Sequence, residues 1–202
     1  MNSKQRSDST LGFYEENAQD FFDRTFDLDL SHLYSPFLER LPKGAHILDA
    51  GCGSGRDSKA FLDKGYRVTG MDATEAMVEL SRRVTGLPIV HQSFQEMSWE
   101  EAFDGIWASA TLLHVPKSEM PSVFRRFERA LKPGGIWYLS FKHGDGEREK
   151  DGRHFSDYTD AGLLELLEGF PGLRAITTWQ TPSVDPNRQE QIWLNGLLEK
   201  QG

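Results

Sequence analysis

The run Asp49-Ala50-Gly51-Cys52-Gly53-Ser54-Gly55 is the segment of this chain best suited to holding a ligand. Glycines at alternate positions let the backbone turn tightly and approach a bound group with no Cβ in the way. A helix that begins just past such a turn offers unpaired N–H groups, which meet a carboxylate or a phosphate. Two acids extend the pattern: Asp49 opens the run and Asp72 stands 23 residues further on. An acid at the end of the next strand accepts hydrogen bonds from both hydroxyls of a ribose. Asp49 is placed to order the loop and to meet an ammonium, directly or through water.

The glycine spacing is G-x-G-x-G, which differs from the G-x-G-x-x-G of dinucleotide sites. A ligand that combines ribose, ammonium and carboxylate is S-adenosylmethionine. Other residues could act on a substrate beside it. His114 follows an apolar run, where α/β folds place their ligands, and its near-neutral pKa suits a general base or a pocket wall. Tyr14 lies in an aromatic-rich N-terminal stretch. His154 and Tyr158 follow the charged, glycine-rich residues 144–153, which read as a mobile, solvated loop containing Arg148 and Arg153. Cys52 reads as a small packed side chain rather than a nucleophile. The histidines show no metal-ligand spacing.

Apolar periodicity lays out the elements that must position these residues. Residues 1–10 read as a frayed tail, and residues 11–40 as one or two helices ending before the turn at Pro42-Lys43-Gly44. Short apolar runs at 46–50, 66–71, 88–92, 103–109 and 136–141 read as strands. Helical patterns at 57–64, 74–84 and 119–131 lie between them, the last stopped by Pro133-Gly134-Gly135. Alternation of this kind predicts right-handed βαβ units and a mostly parallel sheet. After a helix at 161–167, strands at 174–181 and 189–198 have no helix between them and predict an antiparallel hairpin at a sheet edge.

Four motifs in order resemble those of class I S-adenosylmethionine-dependent methyltransferases. Ile47-Leu48-Asp49-Ala50-Gly51-Cys52-Gly53-Ser54-Gly55 looks like their first motif and Gly70-Met71-Asp72-Ala73-Thr74 like their second. Residues 103–109 with Leu112-Leu113-His114-Val115 are similar to the fourth-strand motif, and Leu131-Lys132-Pro133-Gly134-Gly135 to the one before the fifth strand. Within that family the chain most resembles small bacterial, tellurite-resistance-like members.

The resemblance implies a Rossmann-like α/β fold: a seven-stranded, mostly parallel sheet with an antiparallel last strand and helices on both faces. It implies residues 1–40 as a helical lid carrying Tyr14, over a single methyltransferase unit at 41–202. Gly51, Gly53 and Gly55, with Cys52 between them, would line the methionine part of the cofactor. Asp49 would sit beside its amino group, Asp72 on the ribose and Ala73 near the adenine. Ser109 would complete the cofactor side. Many relatives carry an acid after the third strand, near the adenine amino group. This chain has Ser93-Phe94-Gln95 there, so Ser93 or Gln95 would supply the hydrogen bond and Phe94 cover the ring. His114, Tyr14, His154 and Tyr158 are the candidates on the acceptor side.

Composition narrows the acceptor. The chain has 202 residues and a net charge of −8, against the basic excess of proteins that grip nucleic acid through phosphates. A small-molecule acceptor is expected, taking methyl on O, N or S. An RNA or protein acceptor and a cofactor-binding module without catalysis stand as alternatives. The polar N-terminus shows no signal peptide, no apolar run is long enough to span a bilayer, and one cysteine allows no internal disulfide. A cytoplasmic monomer or homodimer is expected.

Overall fold

A computed structural model of the chain describes residues 3–202, with side chains from Ser9 onward. Three helices come first: α1 (Ser3–Glu16), α2 (Ala18–Thr25) and α3 (Ser31–Leu38). The alternating core follows as β1 (His46–Ala50), α4 (Arg56–Asp63), β2 (Arg67–Asp72), α5 (Glu75–Thr85), β3 (Val90–His91), β4 (Phe103–Ala108), α6 (Met120–Ala130) and β5 (Leu131–Lys142). A hairpin of β6 (Gly146–Lys150) and β7 (Arg153–Asp157) precedes α7 (Asp160–Leu167), β8 (Leu173–Pro182) and β9 (Ile192–Lys200).

The sheet order is β3-β2-β1-β4-β5-β9-β8. The pairings among β1 to β5 are parallel, and β9 runs antiparallel to both β5 and β8. Alternate side chains of each central strand enter opposite layers. Leu48, Ile106, Trp137 and Leu198 pack with Phe124 and Phe127 of α6 and Leu163 of α7. Their neighbours Ile47, Trp107, Tyr138 and Leu197 pack with Tyr34 and Phe37 of α3 and Phe61 of α4. The two layers hold the sheet flat-on between helices, so its carboxyl edge is left for a ligand. No helix among the described residues is long and apolar enough to cross a membrane.

Three local expectations are corrected. Residues 3–10 are helical, not frayed; Met1 and Asn2 lie outside the described residues. Thr10 is buried, and its Oγ1 accepts the backbone N–H of His154 at 2.9 Å, which anchors the helix to β7. Residues 144–153 are not an open loop. Glu147 to Lys150 pair with Arg153 to Ser156 as an antiparallel hairpin, with Asp151 and Gly152 turning at positive φ. Its outer strand is exposed and charged while β7 is buried throughout, so charge alone hid the strand. Finally, α6 ends at Ala130, and Pro133-Gly134-Gly135 belongs to β5, which already pairs with Phe103 through Leu131 and resumes at Ile136 after an irregularity.

Candidate active site

A cavity of about 310 Å³ opens at the carboxyl ends of β1, β2, β4 and β5. Its floor is the glycine turn. Gly51, Gly53 and Gly55 all have positive φ, at 73°, 51° and 79°. A Cβ on Gly51 would lie 2.0 Å from Thr111 Oγ1. The turn is tied to β2 by Gly51 N and Cys52 N, which both donate to Met71 O at 2.9 Å. Gly53 N donates to Asp72 Oδ2 at 3.0 Å, and Thr74 donates to Asp72 Oδ1 through its N–H and hydroxyl at 3.0 and 2.9 Å. Asp72 is thereby oriented at the cavity wall before any ligand arrives. Burial raises its carboxyl above the ordinary value, against the pull of these donors.

The other expected cofactor residues divide. Cys52, Ala73, Ser93, Phe94 and Ser109 line the cavity. The Cys52 thiol is buried, donates towards Ser81 Oγ at 3.6 Å and is pushed well above the usual thiol range by burial, so it carries no thiolate. The Ser93 N–H and hydroxyl both donate to Glu96, and the Phe94 ring is set edge-on to Phe127. Asp49 and Gly55 do not line the cavity. Asp49 is 2% exposed and accepts the Ser58 hydroxyl at 2.6 Å, so it braces α4 against β1 beneath the turn. Burial, with Asp57 nearby, raises its carboxyl. Gly55 caps α4 in the left-handed conformation, and a Cβ there would meet Ser81 Oγ at 2.6 Å.

Asp57 was not expected at the site. It accepts four hydrogen bonds: Arg56 Nε at 2.6 Å, Arg56 Nη2 at 3.0 Å, the Tyr34 hydroxyl at 2.7 Å and Trp107 Nε1 at 2.8 Å. Arg56 also donates to Thr25 O at 3.2 Å. These donors hold the Asp57 carboxyl below its ordinary value, the Arg56 guanidinium foremost among them, despite burial. One carboxylate thus joins α2, α3, α4 and β4 at the edge of the cavity.

Opposite the glycine turn, two residues exactly one hundred positions apart would be unremarkable in sequence, yet Tyr14 of α1 and His114, at the end of a short 3₁₀ turn after β4, are in contact. His114 Nδ1 is 2.7 Å from the His154 carbonyl oxygen. A carbonyl only accepts, so Nδ1 carries the hydrogen in the neutral ring and Nε2 is left with a lone pair. Tyr14 Oη then donates to Nε2 at 2.8 Å. Burial pushes His114 down to about 3 and the Tyr14 phenol upwards, the latter opposed by Arg153. Both line the cavity.

His154 and Tyr158 do not. The period of two along β7 turns the His154 ring away, 3.0 Å from Ser156 Oγ, and turns Arg153 and Phe155 inward. His154 meets the His114 ring through its carbonyl. Tyr158 packs on Phe141 beneath Lys117. The helices α1 and α2 close the cavity: Tyr14 and Phe21 line it, their rings meet edge-on, and Ala18 packs on Met77 and Leu80 of α5.

Comparisons with known proteins agree with this geometry. The family model described as a methyltransferase domain matches residues 47–135. A ubiquinone biosynthesis O-methyltransferase of Coxiella burnetii is 28% identical over 142 residues, 64% of this chain and 60% of that protein. A trans-aconitate 2-methyltransferase of Acidovorax is 34% identical over 98 residues, 47% of this chain and 37% of its own length. The chain thus spans about 60% of the first of these relatives or less of the second. A Burkholderia thailandensis 1,6-didemethyltoxoflavin-N1-methyltransferase, solved with 1,6-didemethyltoxoflavin and S-adenosylhomocysteine, superposes with a TM-score of 0.81 at 22% identity, covering 100% of this chain and 92% of that one, a likeness of fold. The glycine turn, the strand order and the matched segment together make the chain similar to the class I S-adenosylmethionine-dependent methyltransferases.

Proposed function

We propose that the cavity binds S-adenosylmethionine and that the chain transfers its methyl group to O, N or S of a small molecule. The observation that carries this is one continuous cavity, running from Gly51, Gly53 and Asp72 to the Tyr14–His114 pair under the N-terminal helices. The residues fit the cofactor. Positive-φ glycines leave the backbone bare where a Cβ would fill the space, and a pre-oriented carboxylate stands where a ribose would lie. Gly51, Cys52 and Gly53 would face the methionine part, Asp72 and Ala73 the ribose and adenine, with Ser93, Phe94 and Ser109 on the walls. Asp49 and Gly55 would shape the turn from beneath.

When bound, the cofactor supplies an electrophilic methyl on a sulfonium, a leaving group that needs no assistance. The chain's own contribution is alignment and exclusion of water. Helices α1 and α2 act as the lid in this reading, with Tyr14 and Phe21 over the reacting groups. The Tyr14 hydroxyl donates to His114, so its free lone pair accepts a hydrogen bond from an acceptor O–H. A proton lost from that oxygen passes to Tyr14 as the Tyr14 proton passes to Nε2. His114 is a weak base, but a hydroxyl that is being methylated becomes a far stronger acid than an alcohol. An acceptor that arrives as an anion needs no such relay. The net charge of −8 and the enclosed site favour a small acceptor over RNA, and a cytoplasmic location accords with the single cysteine.

The test is incubation with methyl-labelled S-adenosylmethionine and a cell extract separated into metabolites, RNA and protein. Label is expected in the metabolites; label in RNA or protein alone overturns the acceptor assignment. For the relay, Tyr14→Phe is expected to lower kcat by about 100-fold while leaving the KM for the cofactor unchanged. His114, neutral at all pH values above its lowered pKa, should keep the rate level between about pH 5 and 8. A rate that falls with the titration of an ordinary histidine would contradict this.

A further inference from the structure

Beyond the Tyr14–His114 pair the cavity ends in cations. Lys142 closes β5, Arg153 opens β7 and Arg188 lies in the β8–β9 connection; all three line the cavity and the groove at its mouth. Arg153 is 7% exposed, and its Nε is buried without a hydrogen-bond partner. Its guanidinium is stacked 4.2 Å from the centroid of the Phe13 ring and 6.0 Å from that of Tyr14, so it is part of the wall that holds the relay.

The carboxylates nearby neutralise this end only in part. Asp151 approaches Arg153 only to 3.6 Å and is mostly in solvent, and Asp185 approaches Arg188 to 3.6 Å. Asp157 is taken up by Arg148. Lys142 Nζ lies 3.8 Å from the centroid of the Phe155 ring and has no hydrogen bond or ion pair among the described residues. Glu190, Asp151 and Lys150 also line the outer groove. Stacking on aromatic rings stabilises a cation without satisfying its N–H groups, and Arg153 Nε is left with no acceptor. Buried guanidinium donors without acceptors are rare in folded proteins unless a ligand supplies them.

We infer that Lys142, Arg153 and Arg188 form a subsite for an oxyanion of the methyl acceptor, a carboxylate or a phosphate carried on an apolar body that lies against Phe155 and Trp193. This rests on the proposed function and names the substrate class for the same cavity. Two further features agree. In a chain with 31 acids against 23 bases, three cations meet at one end of one cavity. Burial, then the charges of Arg148, Arg153, Arg188 and Lys150, pushes Lys142 down to about 8. An anion would relieve that repulsion. Arg153, stacked beside Tyr14, would fix the anion relative to the relay and so present the acceptor atom to the methyl.

The test is calorimetric titration of benzoate, phenyl phosphate and the neutral isostere benzamide into the chain, with and without saturating S-adenosylhomocysteine. At least one anion is expected to bind about tenfold or more tighter than benzamide. Preference for benzoate or for phenyl phosphate identifies which oxyanion the subsite takes. Lys142→Met and Arg188→Gln, at a half-buried and an exposed position, should each remove most of that preference while S-adenosylhomocysteine affinity changes less than about twofold. Benzamide binding as tightly as both anions, or preference retained in both variants, overturns the subsite. Failure of S-adenosylhomocysteine to bind the native chain overturns the proposed function instead, and the anion comparison made without it still decides the subsite.

Discussion

Asp72→Ala is expected to weaken binding of S-adenosylhomocysteine by about 100-fold. The carboxylate stands at the end of β2, half-buried, held by Gly53 N on one oxygen and by Thr74 on the other. Hydrogen bonds to a charged acceptor contribute about 1.5–3 kcal/mol each, and two ribose hydroxyls would make two of them. Water entering the space returns part of this, leaving a loss of about two powers of ten. The same substitution frees Gly53 N, so the glycine turn loses one of its ties to β2. Asp72→Asn keeps one carbonyl oxygen and should lose about tenfold. Calorimetric titration reads both. Affinity unchanged in the alanine variant would remove Asp72 from the ribose site.

The largest stability effect is expected at Asp57. Asp57→Ala strands the Arg56 guanidinium, the Tyr34 hydroxyl and the Trp107 indole N–H at once. Removing one partner of a buried ion pair costs about 3–5 kcal/mol, which in a domain of this size lowers Tm by about 10 °C. Because the folded-state pKa of Asp57 is depressed, its contribution is present above the unfolded value near 3.9 and is lost as pH falls through the folded value. The difference in Tm between the native chain and the variant should therefore be constant between about pH 5 and 7 and narrow below about pH 4. Asp49 has the opposite sign. Its raised carboxyl opposes folding at neutral pH; that opposition shrinks as pH falls below the folded value of about 8 and is gone below the unfolded value near 3.9. A Tm difference that is small, or that widens in acid, would show that Asp57 does not hold the four elements together.

The parallel core was legible because strands and helices write different periods. Leu48 beside Ile47, and Trp137 beside Tyr138, enter opposite layers, while Val123, Phe124 and Phe127 share one face of α6. The glycine turn was legible because the geometry at Gly51 and Gly53 excludes side chains, and residue type reports this directly. The hairpin was not: Glu147 to Lys150 are exposed and charged, and only the burial of the partner strand β7 makes them a strand. That error also misplaced His154. Once β7 is a strand, alternation sends Arg153 and Phe155 inward and the imidazole out. The pairing of Tyr14 with His114 joins residues one hundred positions apart, and no local pattern encodes it. Asp57 looked like an ordinary charge in the first turn of a helix; its burial follows from α3 lying across it, which is a tertiary fact.

Titration of S-adenosylhomocysteine into the native chain, with NAD as the control ligand, tests the central claim most directly. One S-adenosylhomocysteine per chain is expected, with no heat from NAD, because the G-x-G-x-G turn and Asp72 suit a ribose and an amino-acid tail rather than a pyrophosphate. No binding of S-adenosylhomocysteine, or its displacement by NAD, would contradict the assignment of this cavity to methyl transfer.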